Sequence, residues 1–156
     1  LDGFAHATSA LVGEAVGAKN RKALRDTVIA ATLMAAAVAT TYALIYGLFG
    51  TYLLALLTDI PELRAFAGDY LIWMTFSPIL SVWAYQLDGI FIGATRAREM
   101  RNAMLASVAV YTAAMFTLPG LLGNHGLWAS VMIFMVVRAL TLLIFYPRLE
   151  RMLADS

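Results

Sequence analysis

Four long runs of uncharged, mostly apolar residues constrain this chain more than any other feature. Residues 27–50, 70–87 and 102–124 carry no Asp, Glu, Lys or Arg, and residues 126–147 carry one, Arg138. About 20 such residues, rising about 1.5 Å each, cross a hydrocarbon core of about 30 Å. Strands are too short to use runs of this length, so each run reads as a transmembrane helix. The 156-residue chain is 62% hydrophobic and 13% charged, and a water-soluble fold of that size could not bury so much apolar surface. A soluble enzyme is therefore excluded. With no cysteine there is no disulfide, thiolate metal site or cysteine nucleophile, and two distant histidines make no zinc site. A net charge of +1 offers nucleic acid no field, so no nucleic-acid partner is expected.

The reading is an all-α polytopic membrane bundle with about four full transmembrane helices and part of a fifth, at residues 1–18, 27–50, 60–95, 100–122 and 126–147. Residues 1–18 read as the later part of a spanning helix that begins upstream, so the chain is expected to be a fragment. Gly17-Ala18-Lys19-Asn20 is its stop signal. In Asp59-Ile60-Pro61-Glu62 the aspartate is placed to cap the third helix, with proline in its first turn. That helix is longer than a bilayer requires, and Pro78 is expected to kink it.

The basic residues orient the bundle. Lys19, Arg21, Lys22 and Arg25, then Arg96, Arg98 and Arg101, then Arg148 and Arg151 fall on one side by alternation; Arg64 alone stands in an opposite loop. Short cytoplasmic loops accumulate Lys and Arg. The C-terminus is thus expected in the cytoplasm of a cell with this chain in its inner membrane. Trp73 and Trp128 read as interface anchors, and His125 as a solvated turn residue.

Ionisable groups at membrane depth tend to mark ion or substrate pathways. Asp88 lies about 12 Å inside the boundary set by Arg96, and Arg138 about 15 Å inside that set by Arg148. Their helices run in the same direction, so the two share a depth and can pair or share a wet cavity. Ser81, Tyr85, Asp88, Ile92 and Thr95 follow a helical stripe, expected to face the interior, with Trp83 and Gln86 off it. Two readings of Asp88 stand, a coupling carboxylate and a structural one held by Arg138. Asp2 and His6, one turn apart in the first helix, form a candidate proton relay, because imidazole titrates near neutrality. Gly13 and Gly17, and likewise Gly89 and Gly93, are small-residue pairs that let helices approach closely in lipid. Leu1-Asp2-Gly3-Phe4 is echoed by Leu87-Asp88-Gly89-Ile90, as in proteins built from repeated helical units.

The segment from Leu87-Asp88-Gly89-Ile90-Phe91-Ile92-Gly93-Ala94-Thr95-Arg96 through Arg98-Glu99-Met100-Arg101-Asn102 resembles a signature of the DinF-like branch of the multidrug and toxic compound extrusion (MATE) transporters. Leu11-Val12-Gly13-Glu14-Ala15-Val16-Gly17-Ala18 and Gly123-Asn124-His125-Gly126-Leu127-Trp128 resemble the same branch. The resemblance implies two six-helix lobes, of which this chain matches the later part of helix 8 and helices 9 to 12. It implies export of small amphipathic or cationic organic compounds, driven by entry of H+ or Na+, with alternating access between lobes and no other cofactor. The partners expected are the lipid bilayer, the substrates and the missing N-terminal lobe, which in this branch carries the usual proton-coupling aspartate. Sodium-type relatives bind the cation through C-lobe acids, one on helix 10; the resemblance extends that role to Asp88. A lipid or oligosaccharide flippase of related plan and a non-transporting membrane scaffold are the alternatives. The flippase ranks lower, because a pyrophosphate needs several cations and only Arg138 is available.

Overall fold

A computed structural model describes residues 2–154, with side chains for residues 3–152. Six helices follow one another: α1 (Asp2–Gly17), α2 (Arg21–Leu57), α3 (Pro61–Gly68), α4 (Leu71–Gly93), α5 (Ala97–Leu122) and α6 (Asn124–Ala154). No strand occurs among the described residues. By length and hydropathy α2, α5 and α6 can each span a membrane, and α3 with α4 makes a fourth span bent by 42°. Phe116 is 86% exposed and Leu56 84%, an arrangement that lipid tolerates and water does not.

Local chemistry sets the helix ends. Asn20 opens α2, its side-chain oxygen accepting from the Ala23 N–H at 2.9 Å. The far end of α2 is closed from outside: Arg64 of α3 donates to the Thr58 carbonyl at 2.6 Å and to the Ala55 carbonyl at 2.9 Å. A cation on orphan carbonyls also opposes the negative end of the helix dipole. Asp59, expected as the cap of α3, is instead paired with Arg64 at 3.0 Å, and Ile60 holds the cap position without a side-chain bond. At the ends of α1 and α4 the chain reverses with Lys19 (φ 51°) and Thr95 (φ 56°) in the left-handed region. The next N–H then returns five residues, Asn20 to Ala15 and Arg96 to Phe91. Thus Lys19, rather than Gly17, supplies the turn of α1.

The long third helix breaks between α3 and α4, at Asp69-Tyr70, and not at Pro78. Pro78 removes the N–H that would reach Met74 O, but the Ser77 hydroxyl donates to that carbonyl at 3.4 Å. The freed acceptor is satisfied, and α4 continues through the proline.

Helix α4 lies against α1, α2 and α6, while α5 packs chiefly on α6. Its contact with α2 rests on an alanine ridge, Ala31, Ala35, Ala39 and Ala43, buried at a spacing of four. Against α1 it places Gly89 and Gly93: a Cβ on Gly89 would stand 2.5 Å from Ala5 O, and one on Gly93 would overlap Ser9 O. Gly13 approaches Gly93 O, whereas Gly17 has open space around it and takes no part in packing. A core of Val12, Leu24, Ile90, Phe91, Leu142 and Leu149 closes one end of the bundle. The basic residues gather there: Arg21 and Arg25 meet Glu150 of α6 at 3.2 and 3.6 Å, and Arg96 meets Glu99 at 2.6 Å.

Candidate functional site

Asp88 projects from α4 towards α6, and Arg138 from α6 towards α4. Arg138 Nε donates to Asp88 Oδ2 at 2.9 Å and Nη2 to Oδ1 at 2.7 Å, a two-pronged guanidinium–carboxylate pair. The third nitrogen, Nη1, points at Met104 Sδ of α5 at 3.2 Å. The Arg138 side chain is 8% exposed and that of Asp88 21%. Three helices thus meet at one charge pair, and the carboxylate is its open side. An ionised carboxylate has about four acceptor positions, so the guanidinium leaves part of Asp88 able to receive a proton or a cation. Protonating it would weaken two charge-assisted bonds and leave a buried guanidinium with a thioether.

The remaining candidates are distributed around this pair. Ser81 is buried, with its hydroxyl donating to Ser77 O. Tyr85, one turn before Asp88, is half-buried. The expected interior stripe ends there, because Ile92 is half exposed and Thr95 exposed. Gln86, expected off that face, is buried instead, and its amide donates to Thr32 Oγ1 of α2 at 2.6 Å. Thr32 in turn donates to Val28 O at 2.7 Å. This link escaped the stripe argument because α4 has neighbours on more than one side. A lone amide in a span was its available signal, since buried polar groups need partners. His6 is exposed on α1. The Asp2 side chain lies outside the described residues, and with it the Asp2–His6 relay.

At the opposite end, His125 is not a solvated turn residue. Its Nδ1 accepts from Trp73 Nε1 at 2.9 Å, and its ring lies 4.7 Å from that of Tyr70. Trp73, read as an interface anchor, is therefore also a tie between α4 and α6.

A cavity of about 390 Å³ opens between α2, α4 and α6, lined by Thr32, Trp83, Gln86, Ile90, Leu143 and Tyr146 among others. Asp88 and Arg138 do not line it. They stand on the α5 side of the α4–α6 contact, the cavity on the α2 side.

The family model described as MatE matches residues 1–118. DNA damage-inducible protein F of Escherichia coli (strain K12) is 43% identical over 148 residues, which is 95% of this chain and 32% of that relative. The chain thus spans about a third of the relative's length. No solved structure matches it.

Proposed function

Because the chain belongs to the MatE family, we propose that it supplies a helical segment of a secondary exporter of small amphipathic or cationic organic compounds, coupled to entry of H+ or Na+. Members of this family are transporters rather than enzymes. The observation that carries the reading for this segment is the buried Asp88–Arg138 pair, held between helices long and apolar enough to span a membrane. A charge pair taken out of water is costly to keep, and replacing one with apolar groups of the same volume is often neutral or stabilising. Its presence between spanning helices is accounted for if Asp88 changes partners during transport, exchanging the guanidinium for a proton or a cation. Each form of the pair then favours a different packing of α4 on α6, as alternating access requires. Ser81 and Tyr85 would line the approach to the carboxylate. The basic end, with Arg21, Arg96 and Arg148, would face the cytoplasm of an inner-membrane protein, and the C-terminus with it.

The flippase reading gains no support, since the buried cation Arg138 is already committed to Asp88.

The test is a chimaera in which this chain replaces the matching segment of the Escherichia coli relative. Asp88→Asn should abolish export of a fluorescent organic cation while leaving membrane expression unchanged. Undiminished export would remove the coupling role and leave the structural one. If Asp88 and Arg138 jointly tolerated apolar replacement with full export, the pair would be scaffold alone.

A further inference from the structure

The cleft on the α2 side suits an occupant quite different from an exported cation. Its walls include Val28 and Thr32 of α2 and Val136, Leu143 and Tyr146 of α6. Continued towards the basic end of the bundle, the same helical stripes reach Arg25 and Arg21 on α2 and Glu150 on α6, which stand beyond the cleft lining. Arg21 and Arg25 are 50% and 65% exposed, and both turn towards Glu150 at the mouth. Each guanidinium has five N–H groups and gives Glu150 only a fraction of them. Lys22 and Asp26 stand beside them in a second recess. Three cations (Arg21, Lys22, Arg25) against two carboxylates (Asp26, Glu150) leave the mouth one positive charge in excess.

Behind the mouth the cleft carries no charged side chain. Of its polar groups, the Gln86 amide donates to Thr32 and Thr32 to Val28 O, while Tyr146 at the basic end is hydrogen-bonded to Glu150. From Tyr146 to Val136 is ten residues of helix, about 15 Å, which equals the depth of one leaflet of a hydrocarbon core of about 30 Å. The one excess positive charge favours an anion over a cation at the entrance, and the apolar walls behind it suit a hydrocarbon tail.

We propose that this cleft is a binding site for an anionic phospholipid, with one acyl chain between α2, α4 and α6 and its phosphate on Arg21 and Arg25. The site is separate from the Asp88–Arg138 pair and does not rest on the transport reading. Clustered cations at a membrane surface attract anionic headgroups, while the cleft adds a fixed seat for the tail.

Trp83 in the cleft wall serves as the reporter. In a Trp73→Phe/Trp128→Phe chain, Trp83 fluorescence is titrated with brominated-acyl phosphatidylglycerol or phosphatidylcholine in mixed micelles. Phosphatidylglycerol should quench half the signal at a several-fold lower mole fraction. That preference should fall to parity at high salt, in Arg21→Gln/Arg25→Gln, and in Ala139→Phe, which fills the cleft but leaves the cations. Equal quenching by the two lipids overturns the proposal. So does a preference that survives Ala139→Phe, which would mean headgroup attraction without a seat, or stronger quenching by a brominated alkylammonium. The unmodified chain provides a control independent of variant folding: native mass spectrometry from an equimolar mixture should show retained phosphatidylglycerol, and equal retention of both lipids counts against the site.

Discussion

Removing one member of the Asp88–Arg138 pair should destabilise the bundle far more than removing both. Asp88→Leu takes away two charge-assisted bonds of 2.7 and 2.9 Å and leaves a guanidinium that is 8% exposed facing Met104. Unpaired buried ions of this kind cost about 3–5 kcal/mol. A central arginine costs about 2.5–3.5 kcal/mol on insertion scales, so the lower figure, about 3 kcal/mol, is expected here. Arg138→Met strands a carboxylate that is 21% exposed and so keeps more contact with its surroundings than the guanidinium does, which limits the loss to about 2 kcal/mol. The double change Asp88→Leu/Arg138→Met leaves no charge behind and should stay within about 1 kcal/mol of the parent. The coupling in such a cycle would exceed about 2 kcal/mol. Reversible unfolding in mixed micelles, followed by helical circular dichroism, measures all four corners. If the single changes each cost under about 0.5 kcal/mol and simply add, the two side chains are not an energetically coupled pair and the argument fails.

The other links between helices make further predictions. Gly93→Val would drive a side chain into Ser9 O and should cost towards the upper end of about 1–3 kcal/mol, whereas Gly17→Ala, in open space, should be neutral within about 0.5 kcal/mol; the same unfolding assay compares them. Thr32→Val leaves the buried Gln86 amide without its acceptor and should cost about 1–3 kcal/mol, but Gln86→Leu leaves Thr32 bonded to Val28 O and should cost less. A larger loss in Gln86→Leu would refute that asymmetry. His125→Leu deprives the Trp73 N–H of its acceptor and should cost about 1 kcal/mol with a shift in tryptophan emission, while His125→Asn retains an acceptor and should cost less.

What could be read from the residues alone divides along a physical line. Spans follow from length and hydropathy, and both are properties of a segment by itself. That Asp88 and Arg138 could pair was also legible, because each lies a similar number of residues before the arginines that follow its helix. Pairings that need the lateral order of the helices were not legible. Gln86 with Thr32 and Trp73 with His125 are 54 and 52 positions apart, and nothing local in either partner names the other. Competition misled the reading at one helix end. Asp59 was in position to cap α3, yet Arg64, already turned towards the carbonyls ending α2, offered it an opposite charge. A general preference lost there to a neighbour that met the same need.

These ties share a hub. Lipid gives two apolar helices little reason to prefer each other over acyl chains, so association depends on close backbone approach and polar links. Helix α4 uses a different device towards each of three neighbours: Gly89 and Gly93 seat it on α1, Gln86 joins it to Thr32 of α2, and Asp88 joins it to Arg138 of α6, where Trp73 and His125 add a neutral bond towards the other end. The glycine contact depends on shape, and the amide–hydroxyl bond joins two neutral groups, so neither is altered by taking up a proton or an ion. The carboxylate–guanidinium bond is altered by both. Loosening it would let α4 shift against α6 about the Trp73–His125 bond, while the glycine contact and the Gln86–Thr32 bond still hold it to α1 and α2. The α2 cleft is walled by α2, α4 and α6, so a change of charge at Asp88 on one side of the α4–α6 contact would reshape the cleft on the other.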